Sequence, residues 1–255
     1  QNDAQHIPFT SIQNAISAVE SGKVNECIVP IENSIEGIVT TTIDLLIHES
    51  NLKIYNELVL PISHHLITHH ETKLENIDTI YSHPQALAQC RIFLSNNYPN
   101  AKCIASLSTA TAVQDMLKHK TNTAAIASYR AAEFYGAKTK KCNIEDNSNN
   151  ATRFIALSQT DHPPTQYDKT SIAFSFSEDS SGLLHLILLE FASRNINLSK
   201  IESRPSKQIL GQYVFLIDFE GHRQEIHIKE AIDNISQQVS TLKIFGSYPR
   251  YREPM

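Results

Sequence analysis

The segment Asn150-Ala151-Thr152-Arg153-Phe154 places a hydroxyl and a guanidinium next to each other. It stands where a polar stretch, residues 145–150, runs into an apolar, strand-like stretch, residues 155–157. The guanidinium could hold a carboxylate through two parallel hydrogen bonds, and the neighbouring hydroxyl could meet whatever reacts beside it. The segment therefore indicates a binding or reaction site rather than a simple turn.

Serines and threonines also stand at three expected helix starts, near Ser34, at Ser82 and at Ser108-Thr109. A helix N-terminus presents free N–H groups and a partial positive charge. Several such ends facing one cleft would favour an anion even in a chain of net charge −5. Together with Arg153 they indicate a ligand with two carboxylates. For any one of these serines, a capping role alone is the more common explanation.

Two neutral polar side chains are further candidates. Asn33 follows an expected buried strand and Gln85 lies at an expected helix start, and each offers donor and acceptor atoms without charge. Either residue alone would be routine in a turn or a helix. His83 begins the same helix as Gln85, where contact with a substrate and support of the loop are both open interpretations.

A metal site and a glycosylation site are the competing interpretations. Four histidines cluster at His64, His65, His69 and His70. No acidic residue or cysteine falls at a matching ligand distance, and the apolar residues between them fit a strand, so we predict neither metal nor cofactor. Asn150-Ala151-Thr152 and Asn197-Leu198-Ser199 are sequons, which matter only in secreted chains.

Composition narrows the class of protein. The 255 residues are 41% hydrophobic and 19% charged, which suits one large or two modest globular domains. A net charge of −5 and a pI of 6.2, without a cluster of basic residues, argue against nucleic acid and favour a small-molecule partner. Four scattered cysteines predict reduced thiols and a cytoplasmic chain. No apolar run approaches the roughly 20 residues that cross a membrane.

The first part of the chain alternates strand and helix patterns, which is typical of an α/β fold. Ligands of such sheets lie beyond the carboxyl ends of the strands, where helix N-termini gather. Helices are predicted over residues 10–22, 40–48, 82–96, 108–119 and 131–136, and strands over 26–31, 52–60, 66–68, 77–81 and 124–127.

A polar stretch at residues 158–169, with Pro163-Pro164, is the best candidate for a linker. Beyond it the pattern becomes β-α-β-β-α-β, a ferredoxin-like unit. Its expected strands cover residues 171–176, 197–203, 213–220 and 242–245, and its helices 181–194 and 229–240. We therefore predict two domains, residues 1–162 and 168–248.

Five short motifs together resemble the prephenate dehydratase family with its C-terminal ACT regulatory domain. The similarity extends from residue 9 to residue 249. The motifs are Pro30-Ile31-Glu32-Asn33-Ser34 with Glu36-Gly37, Ser82-His83-Pro84-Gln85, Thr152-Arg153-Phe154, Glu202-Ser203-Arg204-Pro205 and Gly246-Ser247-Tyr248-Pro249.

The resemblance implies a decarboxylating dehydration of prephenate to phenylpyruvate, on the route to phenylalanine. It implies a catalytic domain of two lobes, like a periplasmic binding protein, with the cleft between them. It also implies an ACT domain that binds phenylalanine and joins the chain into a dimer or tetramer. In the expected ACT domain this sequence departs mildly from the family at Gly182-Leu183-Leu184-His185, where Gly-Ala-Leu is frequent.

The resemblance also implies roles for single residues. Thr152, Asn33 and Gln85 are the expected catalytic or positioning residues, with Thr152 assisting loss of the ring hydroxyl and Arg153 holding a carboxylate. The other expected substrate contacts are Ser34, Ser82, His83, Ser108, Thr109 and Phe154. The expected effector contacts are Gly182, Leu183, Leu184, Asn197, Leu198, Glu202, Ser203, Arg204 and Pro205. Glu202 and Arg204 could instead form an ordinary charge pair at a strand edge.

One departure from the family and two alternative functions remain open. The family usually opens with a Gly-Pro-x-Gly-Thr-Phe-Ser segment that this sequence lacks, and since it begins at Gln1 rather than Met we expect the natural start to be missing. A non-catalytic amino-acid-binding or sensor protein would share the fold, because fold alone does not decide function. A regulatory ACT module on a degenerate enzyme is the other alternative. Turnover of prephenate separates these possibilities.

Overall fold

The computed structural model describes residues 5–119, 122–178, 180–207 and 211–252. Its helices, α1 to α8 in chain order, are Ile12–Glu20, Thr40–His48, Pro84–Gln89, Arg91–Asn97, Thr109–Lys118, Tyr129–Phe134, Leu183–Ala192 and Ile226–Gln238, with a 3₁₀ turn at Leu74–Asn76. Its strands, β1 to β13, are Cys27–Asn33, Gly37–Ile38, Lys53–Pro61, His65–Thr68, Thr79–Ser82, Lys102–Ala105, Thr123–Ala127, Lys138–Lys141, Ala151–Ser158, Asp168–Ser175, Leu198–Pro205, Tyr213–Glu220 and Thr241–Pro249.

The chain forms two compact units, residues 1–60 with 152–255 and residues 61–151. It leaves the first unit after β3 and returns to it along β9. The predicted boundary between residues 162 and 168 lies inside the first unit, which contains two sheets. The division of the chain into compact units does not follow that boundary, so the boundary stays a prediction.

The first sheet of the first unit has the order β2-β1-β9-β3. β1 and β9 run antiparallel, with Asn33 opposite Thr152 and Glu32 opposite Arg153. α1 presents Ile16 and Val19 to the core beneath this sheet, and Ser11 caps it by accepting a hydrogen bond from the N–H of Asn14 at 3.1 Å. The predicted helix over residues 10–22 is thus confirmed in a shorter form.

The second sheet of the first unit has the order β11-β12-β10-β13, and its neighbouring strands are antiparallel. With α7 and α8 it confirms the predicted β-α-β-β-α-β order. The apolar faces of both helices, including Ile187, Phe191 and Ile232, pack with Phe174 and Phe219 of the sheet. The opposite face of the sheet shares a hydrophobic core with the first sheet.

That shared core contains Ile54 and Ile155 from the first sheet and Leu216, Phe245 and Tyr248 from the second. β13 was expected to end at residue 245 but continues to Pro249. The physical reason is burial, since Ser247 and Tyr248 are fully buried and hydrogen-bonded rather than exposed in a turn.

The second unit has a five-stranded sheet of order β6-β5-β7-β4-β8. β5 runs parallel to β6 and β7, whereas β4 is antiparallel to β7 and β8. Because β5, β6 and β7 are each followed by a helix, the N-termini of α3, α5 and α6 lie at the carboxyl-end edge of this sheet. This is the edge where α/β sheets place their ligands.

Two predicted helix starts are wrong. The turn at Ser34 leads into β2, and α2 begins only at Thr40, with Val39 at its N-cap. Ser82 ends β5, and its hydroxyl donates to the carbonyl of Ile126 at 2.6 Å instead of capping a helix. The predicted helix over residues 82–96 is also divided, because Cys90 separates α3 from α4.

The four cysteines are free thiols. Cys27 and Cys90 are buried, whereas Cys103 and Cys142 are exposed. Burial, assisted by the charge of Glu20, raises the pKa of Cys27 to about 11. Burial, assisted by Asp146 and Glu145, raises the pKa of Cys90 to about 12. Both buried thiols are therefore protonated and unreactive near neutral pH.

Candidate active site

Asn33 and Thr152 form a polar pair at the end of two adjacent strands. The Asn33 amide nitrogen Nδ2 donates to the hydroxyl of Thr152 at 2.9 Å. The other end of the amide, Oδ1, accepts hydrogen bonds from the N–H groups of Ile35 at 3.0 Å and Glu36 at 3.1 Å. Since the turn occupies the oxygen end, the NH2 end must face Thr152.

The sequence builds this arrangement locally. Asn33 bonds to the turn that follows it, as asparagine commonly does, and the turn closes at Gly37. Gly37 has a φ of +81°, a conformation that glycine adopts without steric cost. Asn33 and Gly37 then pair across β1 and β2. The turn therefore fixes the position of the Asn33 amide within one short motif.

This geometry gives the Thr152 hydroxyl a direction. Its oxygen accepts the Asn33 hydrogen, so the hydroxyl keeps its own hydrogen for donation to another group. Accepting one hydrogen bond also polarises a hydroxyl and strengthens the bond that it donates. The pair is thus arranged to donate a hydrogen bond to a group that develops negative charge.

Arg153 does not lie beside the Thr152 hydroxyl. Successive side chains of a strand point to opposite faces, so the guanidinium lies on the other face of the first sheet. There its Nε donates to Glu57 at 2.7 Å, and its two terminal nitrogens donate to Asp218 and the Tyr248 hydroxyl, both at 2.8 Å. The structure thus gives Arg153 an internal role, in contrast to the expected grip on a substrate carboxylate.

The electrostatic environment around Arg153 favours the charged forms of Arg153 and Asp218. Burial alone would raise the pKa of the Asp218 carboxyl, but the charge of Arg153 and a hydrogen bond from Ser171 hold that pKa below its usual value. Burial would likewise lower the pKa of Arg153, and its partners Tyr248, Asp218 and Glu57 raise it instead. Burial raises the pKa of Tyr248 well above its usual value, so its hydroxyl stays protonated.

The second unit supplies polar groups at the carboxyl-end edge of its sheet. His83 caps α3, its Nδ1 accepting from the N–H of Gln85 at 3.3 Å. Ser108 caps α5 as predicted, accepting from the N–H of Thr111 at 2.9 Å, and Thr109 is the first residue of that helix. Ser128, which the sequence interpretation missed, caps α6 in the same way. Its signal was a serine directly after a buried strand.

The histidine cluster has structural roles within the second unit. The ring nitrogens of His64 and His65 lie 2.8 Å from Gln89 Oε1 and 3.2 Å from the N–H of Asn143. Those of His69 and His70 lie 2.6 Å and 3.1 Å from backbone carbonyls. No group of three or more potential metal ligands occurs in the part of the chain that the structure describes.

The expected effector residues divide into two sets. Gly182, Leu183 and Leu184, at the start of α7, line a cavity of about 320 Å³ that is also bordered by Tyr213 and Phe215. The others lie along β11 or just before it. Glu202 pairs with Lys200 at 3.4 Å and Arg204 with Asp44 at 3.0 Å, so these two residues do not pair with each other.

The remaining members of that second set are held by the fold. Asn197 donates to Glu220 at 2.8 Å, and Leu198 packs against the core beneath α7 and α8. Ser203 and Pro205 lie opposite Phe215 and Tyr213 in the ladder between β11 and β12.

Asn150, the first residue of one sequon, is buried and donates to Gln89, which contradicts a glycosylated state.

Comparison with known proteins then places the chain. Residues 1–162 match the family described as prephenate dehydratase. The chain belongs to the prephenate dehydratase family. A prephenate dehydratase of Methanocaldococcus jannaschii is 44% identical over 226 residues, covering 87% of this chain and 80% of that protein. A bifunctional chorismate mutase/prephenate dehydratase of Aquifex aeolicus is 40% identical over 247 residues, 97% of this chain.

The chain spans about two thirds of that bifunctional relative, 67% of its length. A solved structure gives the same family. Prephenate dehydratase from Arthrobacter aurescens, in complex with L-Phe, matches with a TM-score of 0.88 and 37% identity, covering 98% of this chain and 83% of that one. The fold of this chain is therefore the α/β fold of known prephenate dehydratases.

Within this family, the structure joins two of the three expected catalytic residues. Asn33 and Thr152 are in contact, whereas Gln85 belongs to the second unit. Phe154 lies opposite Pro30 on β1, and Ser34 is exposed in the turn after Asn33.

Every helix in the described ranges is too short or too polar to cross a bilayer.

Proposed function

We propose that this chain converts prephenate to phenylpyruvate in phenylalanine biosynthesis, with Thr152 as the hydrogen donor to the departing hydroxyl. The observation that carries the proposal is the 2.9 Å hydrogen bond from Asn33 to Thr152, in which the threonine oxygen is the acceptor and its own hydrogen is left for another group. Membership of the prephenate dehydratase family supports the substrate and the reaction class.

The reaction requires the loss of two groups from one ring. As the bond to the carboxylate breaks and carbon dioxide leaves, its electron pair moves into the ring and displaces the hydroxyl on the far side. The departing oxygen needs a hydrogen to leave as water, and the product gains an aromatic ring. A threonine hydroxyl is a weak acid, so its role is to share its hydrogen in the transition state, where the bond strengthens.

We assign recognition of the substrate carboxylates to the second unit. The partial positive charge at the starts of α3, α5 and α6, where His83, Ser108 and Ser128 are the N-caps, favours anions without adding net charge. Gln85 and Thr109 offer neutral hydrogen-bonding groups at two of these starts, and Ser34 and Phe154 complete the proposed contacts. Ser82 joins β5 to β7 at this edge, because its hydroxyl donates to the carbonyl of Ile126.

The proposal predicts a sharp effect of Asn33→Asp. The carboxylate keeps the size of the amide and still accepts from the turn, but it cannot donate to Thr152 and would instead accept the threonine hydrogen. We expect kcat for prephenate to fall about tenfold or more, with a smaller change in KM. The measurement is phenylpyruvate formation at steady state.

The matched control is Asn56→Asp, where Oδ1 accepts from the adjacent N–H of Glu57 at 2.9 Å and an aspartate can do the same. This variant should keep the wild-type kcat. A wild-type protein that binds prephenate without forming phenylpyruvate would instead favour the alternative of a non-catalytic sensor.

We also propose that residues 168–248 form an ACT domain that binds phenylalanine at the cavity beside α7. Three features support this: the β-α-β-β-α-β order, the approximately 320 Å³ cavity, and the L-Phe bound by the Arthrobacter relative. Gly182, with a φ of +91°, is the N-cap of α7 and lets a ligand approach the N–H groups of the first turn, which would receive its carboxylate.

Assembly into a homo-oligomer, a dimer or tetramer, is part of the same proposal. Leu186 and Leu189 on α7 are about half exposed, as are Ile201 on β11 and Tyr213 on β12. Exposed large apolar side chains are typical of surfaces that bind another protein. A cytoplasmic location completes the proposal, and it rests on the free thiols.

A substitution at Gly182 tests the effector cavity. Gly182→Val places a branched side chain at a positive φ beside the cavity, so we expect the Kd for phenylalanine to rise at least tenfold. Calorimetric titration measures the Kd, and light scattering follows assembly. Gly136→Val is the matched control, because Gly136 also has a positive φ, +64°, with open space around it. Equal phenylalanine affinity in wild type and Gly182→Val would contradict the proposed site.

A further inference from the structure

The proposed catalytic pair, Asn33 and Thr152, is adjacent to a second cross-strand pair. Directly next to Asn33 and Thr152, Glu32 and Arg153 face each other across β1 and β9. These two side chains point away from the Asn33–Thr152 hydrogen bond, because neighbours in a strand alternate between faces. Contacts that fix the side chains of Glu32 and Arg153 therefore also restrict the backbone of Asn33 and Thr152, from the opposite face of the sheet.

Both of these side chains are bound to the ferredoxin-like sheet. Arg153 donates to Asp218 of β12 and to Tyr248 of β13, each at 2.8 Å. Glu32 pairs with Lys200 of β11 at 3.0 Å, and it lies 3.7 Å from Arg153. Each of the two catalytic strands is thus joined to the other sheet next to its catalytic residue.

The contacts form a connected network rather than isolated pairs. Glu57 of β3 receives Arg153 on one side and Lys169 of β10 on the other, at 2.7 Å and 2.9 Å. The hydroxyl of Ser171 lies 2.5 Å from Asp218 and 2.6 Å from the Tyr248 hydroxyl. Four acids, Glu32, Glu57, Glu202 and Asp218, pair with three bases, Arg153, Lys169 and Lys200.

Burial makes the geometry of this network strict. The side chains of Arg153 and Glu57 are 12% and 3% exposed, so water replaces a lost partner poorly. A guanidinium whose Nε and both terminal nitrogens donate to three different groups has one orientation. The backbone at residue 153 therefore has little freedom, and the adjacent Thr152 shares that restriction.

We propose that Arg153, held by Glu57, Asp218 and Tyr248, is a positioning residue for Thr152. The ferredoxin-like sheet is then part of the catalytic apparatus as well as a regulatory unit, because two of the three groups that hold Arg153 belong to it. The inference rests on the proposed function for its kinetic readout. It also has a readout that is independent of turnover.

The test compares two pairs of variants. Tyr248→Phe and Ser247→Ala each remove one hydroxyl from adjacent, fully buried positions of β13, but Ser247 bonds to Thr170 and to the N–H of Arg223 and not to Arg153. Asp218→Asn and Asp44→Asn each remove one carboxylate that binds an arginine, and Asp44 binds Arg204 instead of Arg153.

We expect kcat to fall about tenfold in Tyr248→Phe and Asp218→Asn with KM within about twofold, because misplacement of a catalytic group acts mainly on the chemical step. Ser247→Ala and Asp44→Asn should keep kcat while their Tm values fall. Equal kcat in all four variants would overturn the proposal and leave the network a purely stabilising role.

The second readout is NMR of the Thr152 methyl group and the Asn33 side-chain amide. Both signals should shift in Tyr248→Phe and Asp218→Asn and stay in place in the two controls. If the wild type formed no phenylpyruvate, the proposed function would fail, and these signals would still decide the positioning role. Unchanged signals in Tyr248→Phe and Asp218→Asn would overturn it.

Discussion

Replacing Thr152 with alanine is expected to lower kcat for prephenate by roughly 10²-fold or more while the protein stays folded. The variant removes the hydroxyl that accepts from Asn33 at 2.9 Å, so the departing oxygen loses its hydrogen donor. The Asn33 amide remains bound to the turn through Ile35 and Glu36. Steady-state kinetics measure the loss, and a thermal melt checks the fold.

Thr152→Ser is the matched control, because it keeps the hydroxyl and removes only a methyl group. It should retain most of the activity, within about tenfold of the wild-type kcat. Equal kcat values for the alanine variant and the wild type would show that the hydrogen comes from another group. The assignment of Thr152 would then be wrong even if prephenate remained the substrate.

Replacing Gly246 with alanine is expected to destabilise the fold strongly, although it adds only one methyl group. Gly246 lies in β13 with a φ of +151°, and a Cβ there would stand 2.5 Å from the carbonyl oxygen and 2.8 Å from the nitrogen of Ile54. Backbone atoms cannot yield as a flexible side chain can. We expect the free energy of unfolding to fall by about 3 kcal/mol or more.

The control for this prediction is Gly22→Ala. Gly22 follows α1 with a φ of +71°, and a Cβ there meets nothing within 4 Å. This variant should cost only the conformational penalty of about 1 kcal/mol. Chemical denaturation measures both values, and similar losses in the two variants would contradict the close approach between β13 and β3.

A loss of activity in Gly246→Ala would have a different origin from that in Thr152→Ala. The close approach at Gly246 joins the two sheets of the first unit, and Tyr248 continues from it into the network around Arg153. The alanine variant should therefore lose stability and activity together. Thr152→Ala should lose activity alone, which makes the pair a useful comparison.

The sequence by itself determined the elements whose signals are local. The helix predicted over residues 40–48 and the strand predicted over 213–220 have those bounds in the structure. Ser108 caps α5 as predicted. Helical periodicity, strand alternation and capping depend on residues within a few positions of one another, so a single sequence contains them.

Short motifs also indicated the chemistry before any contact was known. The resemblance singled out Asn33 and Thr152 from segments far apart in the chain, and the structure brings them within 2.9 Å. Spacing alone offered no such pairing. Their registration across β1 and β9 depends on strand pairing between residues 119 positions apart.

Only the tertiary structure decided the role of Arg153. The sequence suggested that neighbours in the chain act on one ligand, but neighbours in a strand face opposite sides of the sheet. The guanidinium instead meets Glu57 and Asp218, which lie 96 and 65 positions away. The partner of a buried charge is chosen by whichever distant carboxylates the packing brings close, and nothing in the local sequence of Thr152-Arg153-Phe154 specifies them.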